Sequence, residues 1–126
     1  MCDFTTGFVK PEMVKVRHVV VISPRSRDRS GLCLVVPFSC QAPNPVMPFH
    51  YQIPADKYPF FSPGEAVWAK ADMVTSVSHQ RLDRVCVNGR YDSPLLEESD
   101  FVAIQNAVLQ AMGLGHFVVA MVPVAP

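Results

Sequence analysis

The 126-residue sequence has no net charge, because 11 basic residues offset 11 acidic ones. That excludes the global field that draws a strongly basic protein onto nucleic acid, so any such contact has to be made by a local patch. No C-x-x-C pair occurs among Cys2, Cys33, Cys40 and Cys86, and no secretory signal pattern precedes them. Neither a zinc site nor a secreted disulfide framework is indicated; the expectation is reduced thiols, no metal, no cofactor and a cytoplasmic location. No apolar run approaches the roughly 18 residues that span a bilayer, which argues against a membrane protein. Phe117-Val-Val-Ala-Met-Val122 is far too short, and Pro123 and Pro126 follow it. Internal repeats and domain-splitting linkers are also missing.

Against these absences, 49% of the residues are hydrophobic and 17% charged. This excludes a disordered chain and suits one globular domain, residues 1–126, with part of its apolar surplus set against a partner. His18-Val-Val-Val-Ile-Ser23 and Leu32-Cys-Leu-Val-Val-Pro-Phe38 read as two buried strands of a hairpin, with Pro37 at a strand edge or bulge. His50-Tyr-Gln-Ile53 reads as a further strand, and the segment from Ala66 to Val77 as one or two more. Arg81 to Cys86 is a weaker continuation of the sheet. A single segment has helical period: Phe101, Ile104, Val108, Ala111 and Met112 recur at spacings of three and four, with Ser99 or Asp100 as N-cap and Gly113 as the stop. The pattern predicts an α+β fold in which a late amphipathic helix packs on a small antiparallel β-barrel. The tail, residues 113–126, is expected to be loosely held.

Positive charge is clustered. Lys10, Lys15, Arg17 and His18 lie close together, and Arg25, Arg27 and Arg29 alternate in the loop that follows. Two adjacent basic segments can line one groove, although arginines in a turn are more often simply solvated. Phe8, Phe49, Tyr51, Tyr58, Phe60 and Phe61 lie in or beside loops, where they can stack on unpaired bases or serve as hydrophobic plugs.

Met1-Cys-Asp-Phe4, then Arg17-His-Val-Val-Val-Ile-Ser23, Val35-Val-Pro-Phe-Ser39 and Lys70-Ala-Asp72 follow one another in the order and spacing of the PemK/MazF family. The sequence resembles that family from about Cys2 to Gly113. It is especially similar to an uncharacterised branch with a Lys-Ala-Asp-Met step and a Val-Ser-x-x-Arg-Leu segment, present here as Val77 to Leu82. The resemblance implies an SH3-like barrel and a toxin endoribonuclease. Such an enzyme cuts single-stranded RNA without a metal by 2′-hydroxyl attack, acts as a homodimer and is held by a small antitoxin.

The same resemblance assigns roles. Arg17 is the cation for the developing phosphorane charge, since a guanidinium stays charged and offers a planar fork of donors. Ser39 is a hydroxyl that holds a phosphate oxygen; Asp72 is the acid/base carboxylate, with Lys70 two residues before it; Glu12 is a loop base or a partner of the arginine. Lys15, Lys70, Arg25, Arg27 and His18 are the expected RNA contacts. Taken without the family, each has a plainer reading: Arg17 as half of an ion pair, Ser39 as a turn residue, Asp72 as an exposed charge, Glu12 as solvated. His18 stands where the family has proline, and Lys70 where it has arginine. An inactive binding or regulatory module on the same barrel, or a CcdB-like gyrase poison, are the alternative readings.

Overall fold

The computed structural model describes residues 1–24 and 30–118. Its strands are β1 (Cys2–Asp3), β2 (Val16–Arg17), β3 (Val19–Val21), β4 (Leu32–Ser39), β5 (His50–Ile53), β6 (Val67–Lys70), β7 (Thr75–Ser78), β8 (Val85–Val87) and β9 (Arg90–Asp92). One α-helix, α1 (Glu98–Ala111), follows them.

β4 is the axis of the molecule. It pairs antiparallel with β3 on one edge and with β6 and β7 on the other, while β5 extends the sheet beyond β6. Its even residues, Val36 and Phe38, enter a core with Val20, Ile53, Tyr58, Phe61, Val67, Ala69, Ile104 and Ala107 under the helix. Its odd residues Cys33 and Val35 enter a second core with Cys2, Phe4 and Val77. A strand buried on both faces needs a continuous apolar run, which is what Leu32 to Phe38 supplies.

Pro37 is fully buried in the middle of this central strand, not at an edge. The tolerance has a geometric cause. The Phe38 N–H donates to His18 O at 2.9 Å and the Ile22 N–H to Leu34 O at 2.9 Å, so even positions of β4 bond toward β3. Alternation turns position 37 to the other edge. There β6 ends at Lys70, a 3-10 turn of Ala71–Met73 intervenes, and β7 resumes the pairing at Thr75. The residue without an N–H coincides with the break between two neighbouring strands.

The hairpin of β3 and β4, the β5 strand, the pair β6 and β7, and the late helix match the sequence reading. Two expectations change. The ladders among the described residues form a five-stranded sheet and two small pairs, β1–β2 and β8–β9, without closing into a continuous barrel. Arg81 to Cys86 does not continue the main sheet: Leu82 makes one bridge to Cys2, and β8 then folds on β9 around Asn88 (φ 51°) and Gly89 (φ 76°). Two consecutive positive φ angles at Asn-Gly are the signature of a two-residue hairpin turn.

The helix stop is as read from the sequence. Gly113 (φ 76°) donates to Gln110 O at 3.1 Å and Leu114 N–H to Leu109 O at 2.8 Å, the paired bonds of a Schellman ending. The start is different: Glu97 is the N-cap and makes no side-chain cap bond. Asp100 lies in the first turn, 2% exposed, and turns into the core. Tyr51 Oη–H donates to its Oδ1 at 2.6 Å and Tyr58 Oη–H donates to its Oδ2. The Glu97 N–H then donates to Tyr58 Oη at 3.0 Å. A buried carboxylate is tolerable because two hydroxyls and the helix N-terminus meet it. This knot ties α1 to β5 and to the aromatic loop.

Two outcomes test the knot. Tyr58→Phe leaves one oxygen of a buried carboxylate unmatched and is expected to lower unfolding free energy by about 1.5–3 kcal/mol in denaturant titration. Burial, and then the Asp100 hydrogen bond, push the Tyr58 hydroxyl up to about 12. Its folded value lies above the ordinary tyrosine value of about 10. Its contribution is therefore complete below that pH and is lost as pH rises through about 12. Alkaline unfolding followed by circular dichroism is expected to coincide with tyrosinate absorbance from this residue, and Tyr58→Phe to shift it.

Candidate functional site

Extending the register of β3 and β4 by two residues, along the line fixed by the Phe38 to His18 bond, sets Arg17 opposite Ser39. On the other side Ser39 pairs with Trp68, and Trp68 with Gln52. A row of side chains thus runs Arg17, Ser39, Trp68, Gln52 across β2, β4, β6 and β5, with His50 and Lys70 paired one step along it. It occupies the odd face of β4, where the apolar sequence Cys33, Val35, Pro37 gives way to Ser39. Ser39 is 8% exposed, and its Oγ accepts from the Gln41 N–H at 3.2 Å.

Beside this row lies a depression of about 630 Å³ lined by Lys10, Glu12, Lys15, Arg17, Ser39, Gln41 and Lys70, among others. Four cations face one carboxylate, which makes the local positive patch that a chain of zero net charge requires. Glu12 is already engaged, for its Oε2 accepts from the Val9 N–H at 2.7 Å and braces its own turn. Arg17 Nε and Trp68 Nε1 are buried side-chain donors with no hydrogen-bond partner among the described residues. They flank Ser39 on either side. Unmet buried donors carry a free-energy cost, and of these two Arg17 also lines the depression.

Asp72 is not where strand alternation would put it. Lys70 is the last residue of β6 and Asp72 belongs to the following 3-10 turn, so the two do not share a strand face. Asp72 lies half-exposed with its Oδ1 3.8 Å from His50 Nε2. The turn is held to the start of β5 by the Ala71 N–H, which donates to Phe49 O at 3.1 Å. His50 in turn accepts at Nδ1 from the Met47 N–H at 2.9 Å.

His18 is separated from Arg17. It lines a different, mainly apolar depression of about 790 Å³ with Val20, Phe38, Phe60 and Phe101. It stacks on Phe60 at 6.1 Å between centroids, and burial, followed by the N-terminal ammonium, lowers its pKa. It is therefore a packed aromatic on the helix side and does not line the basic groove; it lies between β2 and β3, directly after Arg17 ends β2. Arg25 and Arg27 lie outside the described residues. Tyr51 and Tyr58 hold Asp100, and Phe61 is core, so these three are not free to stack on bases.

One residue that feels the Arg17 charge is not signalled by the sequence. The exposed Cys40 thiol is pushed up by its hydrogen bond to Glu65, by desolvation and by the Glu65 charge, while Arg17 opposes the shift. The thiol and the Glu65 carboxylate thus meet, and nothing in their spacing along the chain signals it. Arg81, within the Val77 to Leu82 segment, has a structural task instead. Its Nη1 donates to Asp3 O at 3.0 Å and Thr6 O at 2.9 Å, and the guanidinium lies 4.8 Å from the Phe8 ring centre.

Among the described residues no helix is long and apolar enough to cross a membrane. The backbone is similar to two solved structures: the Mycobacterium tuberculosis toxin MazF-mt6, with a TM-score of 0.58 and 16% identity over 82% of this chain and 92% of that one, and a mycobacterial endoribonuclease in complex with its cognate antitoxin, with 0.59 and 16% over 90% and 88%. At that identity the likeness concerns the fold, a mainly β structure with one C-terminal helix. In sequence, the chain is 32% identical over 111 residues to the uncharacterised protein YifN of Escherichia coli K12, covering 84% of this chain and 72% of that protein. It is 30% identical over 110 residues to an uncharacterised protein of Haemophilus influenzae Rd, covering 84% and 75%. The model of the PemK-like, MazF-like toxins of type II toxin-antitoxin systems matches residues 1–112. With that match spanning nearly the whole described fold, the chain belongs to the PemK-like, MazF-like toxin family.

Proposed function

We propose that this family member is a metal-independent endoribonuclease that cuts single-stranded RNA by attack of a ribose 2′-hydroxyl on the adjacent phosphorus. The observation that carries the reading is the placement of Arg17 opposite Ser39 at the edge of a lysine-lined depression, with an unmet Arg17 Nε beside it. In this reaction the 2′-oxygen forms a bond to phosphorus as the bond to the 5′-oxygen breaks, leaving a cyclic phosphate and a 5′-hydroxyl. One proton leaves the nucleophile and one joins the leaving oxygen. Arg17 meets the charge that grows on the non-bridging oxygens, and the Ser39 hydroxyl donates to one of them. Lys10, Lys15 and Lys70 hold the flanking phosphates as point charges.

Asp72 is the proton acceptor of this scheme, with Lys70 two residues before it in sequence. Glu12 braces its own loop through the Val9 N–H beside the lysines of the groove. The toxin works as a homodimer across whose joint surface RNA lies, and a small antitoxin occupies the basic groove. A mycobacterial endoribonuclease of the same fold is bound to its cognate antitoxin, which supports the partner assignment. Arg25 and Arg27, outside the described residues, are assigned in this reading as further phosphate contacts.

A second reading, an inactive binding module, draws support from the engaged states of Glu12 and Asp72. Kinetics separate the two. With long single-stranded RNA in EDTA, the natural chain is expected to cut at discrete sites. Arg17→Ala is expected to lower kcat by about a hundredfold or more, and Arg17→Lys to recover little of it, because an ammonium lacks the planar fork. Ser39→Ala is expected to cost less, about tenfold. Intact RNA with the natural chain, while it still binds RNA, would establish the module instead.

A further inference from the structure

His50 carries contacts that neither packing nor the roles assigned so far explain. Its side chain is 9% exposed, yet both ring nitrogens have fixed surroundings. Nδ1 accepts from the Met47 N–H at 2.9 Å, and the His50 N–H returns a bond to Met47 O at 2.9 Å. A nitrogen that accepts a backbone N–H carries no proton, so in the neutral ring the proton sits on Nε2. That Nε2 faces Asp72 Oδ1 at 3.8 Å. The Phe49 ring lies 4.6 Å from the imidazole between centroids and fixes its plane.

The charged groups around the imidazole are few. From its own strand there is none; from β6, Lys70 stands opposite it in register; from the turn after β6, Asp72 faces it. A protonated ring would have to surrender the Met47 bond, because Nδ1 would then be a donor. With the Met47 bond in place, the ring turns its Nε2 edge to the carboxylate at 3.8 Å.

We infer that His50 is the positioning residue of Asp72: the Met47 turn locks its tautomer, and the Nε2–H edge, 3.8 Å from Oδ1, sets the direction in which the carboxylate presents its other oxygen. The inference rests on the nuclease reading and deepens it. Asp72 occupies a short turn and is half-exposed, so without such a donor its carboxylate would swing freely and spend little time aligned with a 2′-hydroxyl. His50 itself is too enclosed to touch the reacting atoms and acts through the carboxylate. The device parallels in reverse the usual one, in which a carboxylate orients an imidazole.

The test pairs two replacements with one spectroscopic reading. In His50→Asn the side-chain oxygen can still accept the Met47 N–H, while the donor toward Asp72 is gone. His50→Gln reaches farther and can return an N–H near the Nε2 position. The expected result is that His50→Asn keeps the melting profile and KM of the natural chain but loses about tenfold or more in kcat, and that His50→Gln recovers part of it. Nitrogen-15 spectra of the labelled natural chain at neutral pH are expected to show a protonated Nε2 and a bare Nδ1. Unchanged kcat in His50→Asn, or a proton on Nδ1, overturns the inference and leaves the nuclease reading standing. RNA left uncut by the natural chain overturns both.

Discussion

Pro37 sits in a strand that is covered on both faces and paired on both edges, and much of the molecule follows from how that is accommodated. A missing N–H cannot be tolerated in the middle of a buried ladder, so the facing strand has to break there. It does, and the break is the 3-10 turn of Ala71–Met73 between β6 and β7. One consequence is structural: β6 serves the end of β4 near Ser39, while β7 serves the end near Cys33. Another concerns the site, for the turn carries Asp72 out of the sheet and over to His50. Register sets Arg17 opposite Ser39, whereas a turn sets Asp72 against His50.

The helix end of the molecule is held by a polar contact buried in apolar surroundings. Asp100 joins α1 to Tyr51 on β5 and to Tyr58 in the loop beyond it, while Lys57 Nζ lies 2.8 Å from Glu97 at the surface. β5 is thereby pinned from both sides, by β6 through its ladder and by the helix through the Asp100 knot. Since His50 begins β5, the geometry of the candidate site depends on this distant core. Loosening the helix should be felt at the site before the sheet itself yields.

Periodicity made most of the framework legible. The β-branched runs around Val19 and Val35 mark the hairpin, the three- and four-residue spacing from Phe101 to Val108 marks the helix, and Gly113 marks its end. Two local signals were passed over. Asn88-Gly89 between Val-Cys-Val and Arg-Tyr-Asp is a hairpin signature, and Asp100 within an apolar stripe points inward, not to a cap. For the site, the family pattern brought Arg17 and Ser39 to notice, and the fold brings them into one row. Alternation does not carry on from Lys70 to Asp72, and nothing in Lys70-Ala-Asp72 announces that the strand ends at the lysine. The meetings of His50 with Asp72 and of Cys40 with Glu65 join residues about 20 or more positions apart, which no local pattern encodes.

The proposed reaction uses Arg17 and Ser39 as a phosphate clamp and Asp72 as proton acceptor, and its central claim is that the nucleophile belongs to the RNA. A substrate with 2′-deoxyribose at the residues 5′ to the cleaved bonds tests this directly in the presence of EDTA. The account predicts that the ribose strand is cut to 2′,3′-cyclic phosphate and 5′-hydroxyl ends, while the deoxy-substituted strand is bound with similar affinity and stays whole. Cleavage of the deoxy-substituted strand at the same bonds would contradict it.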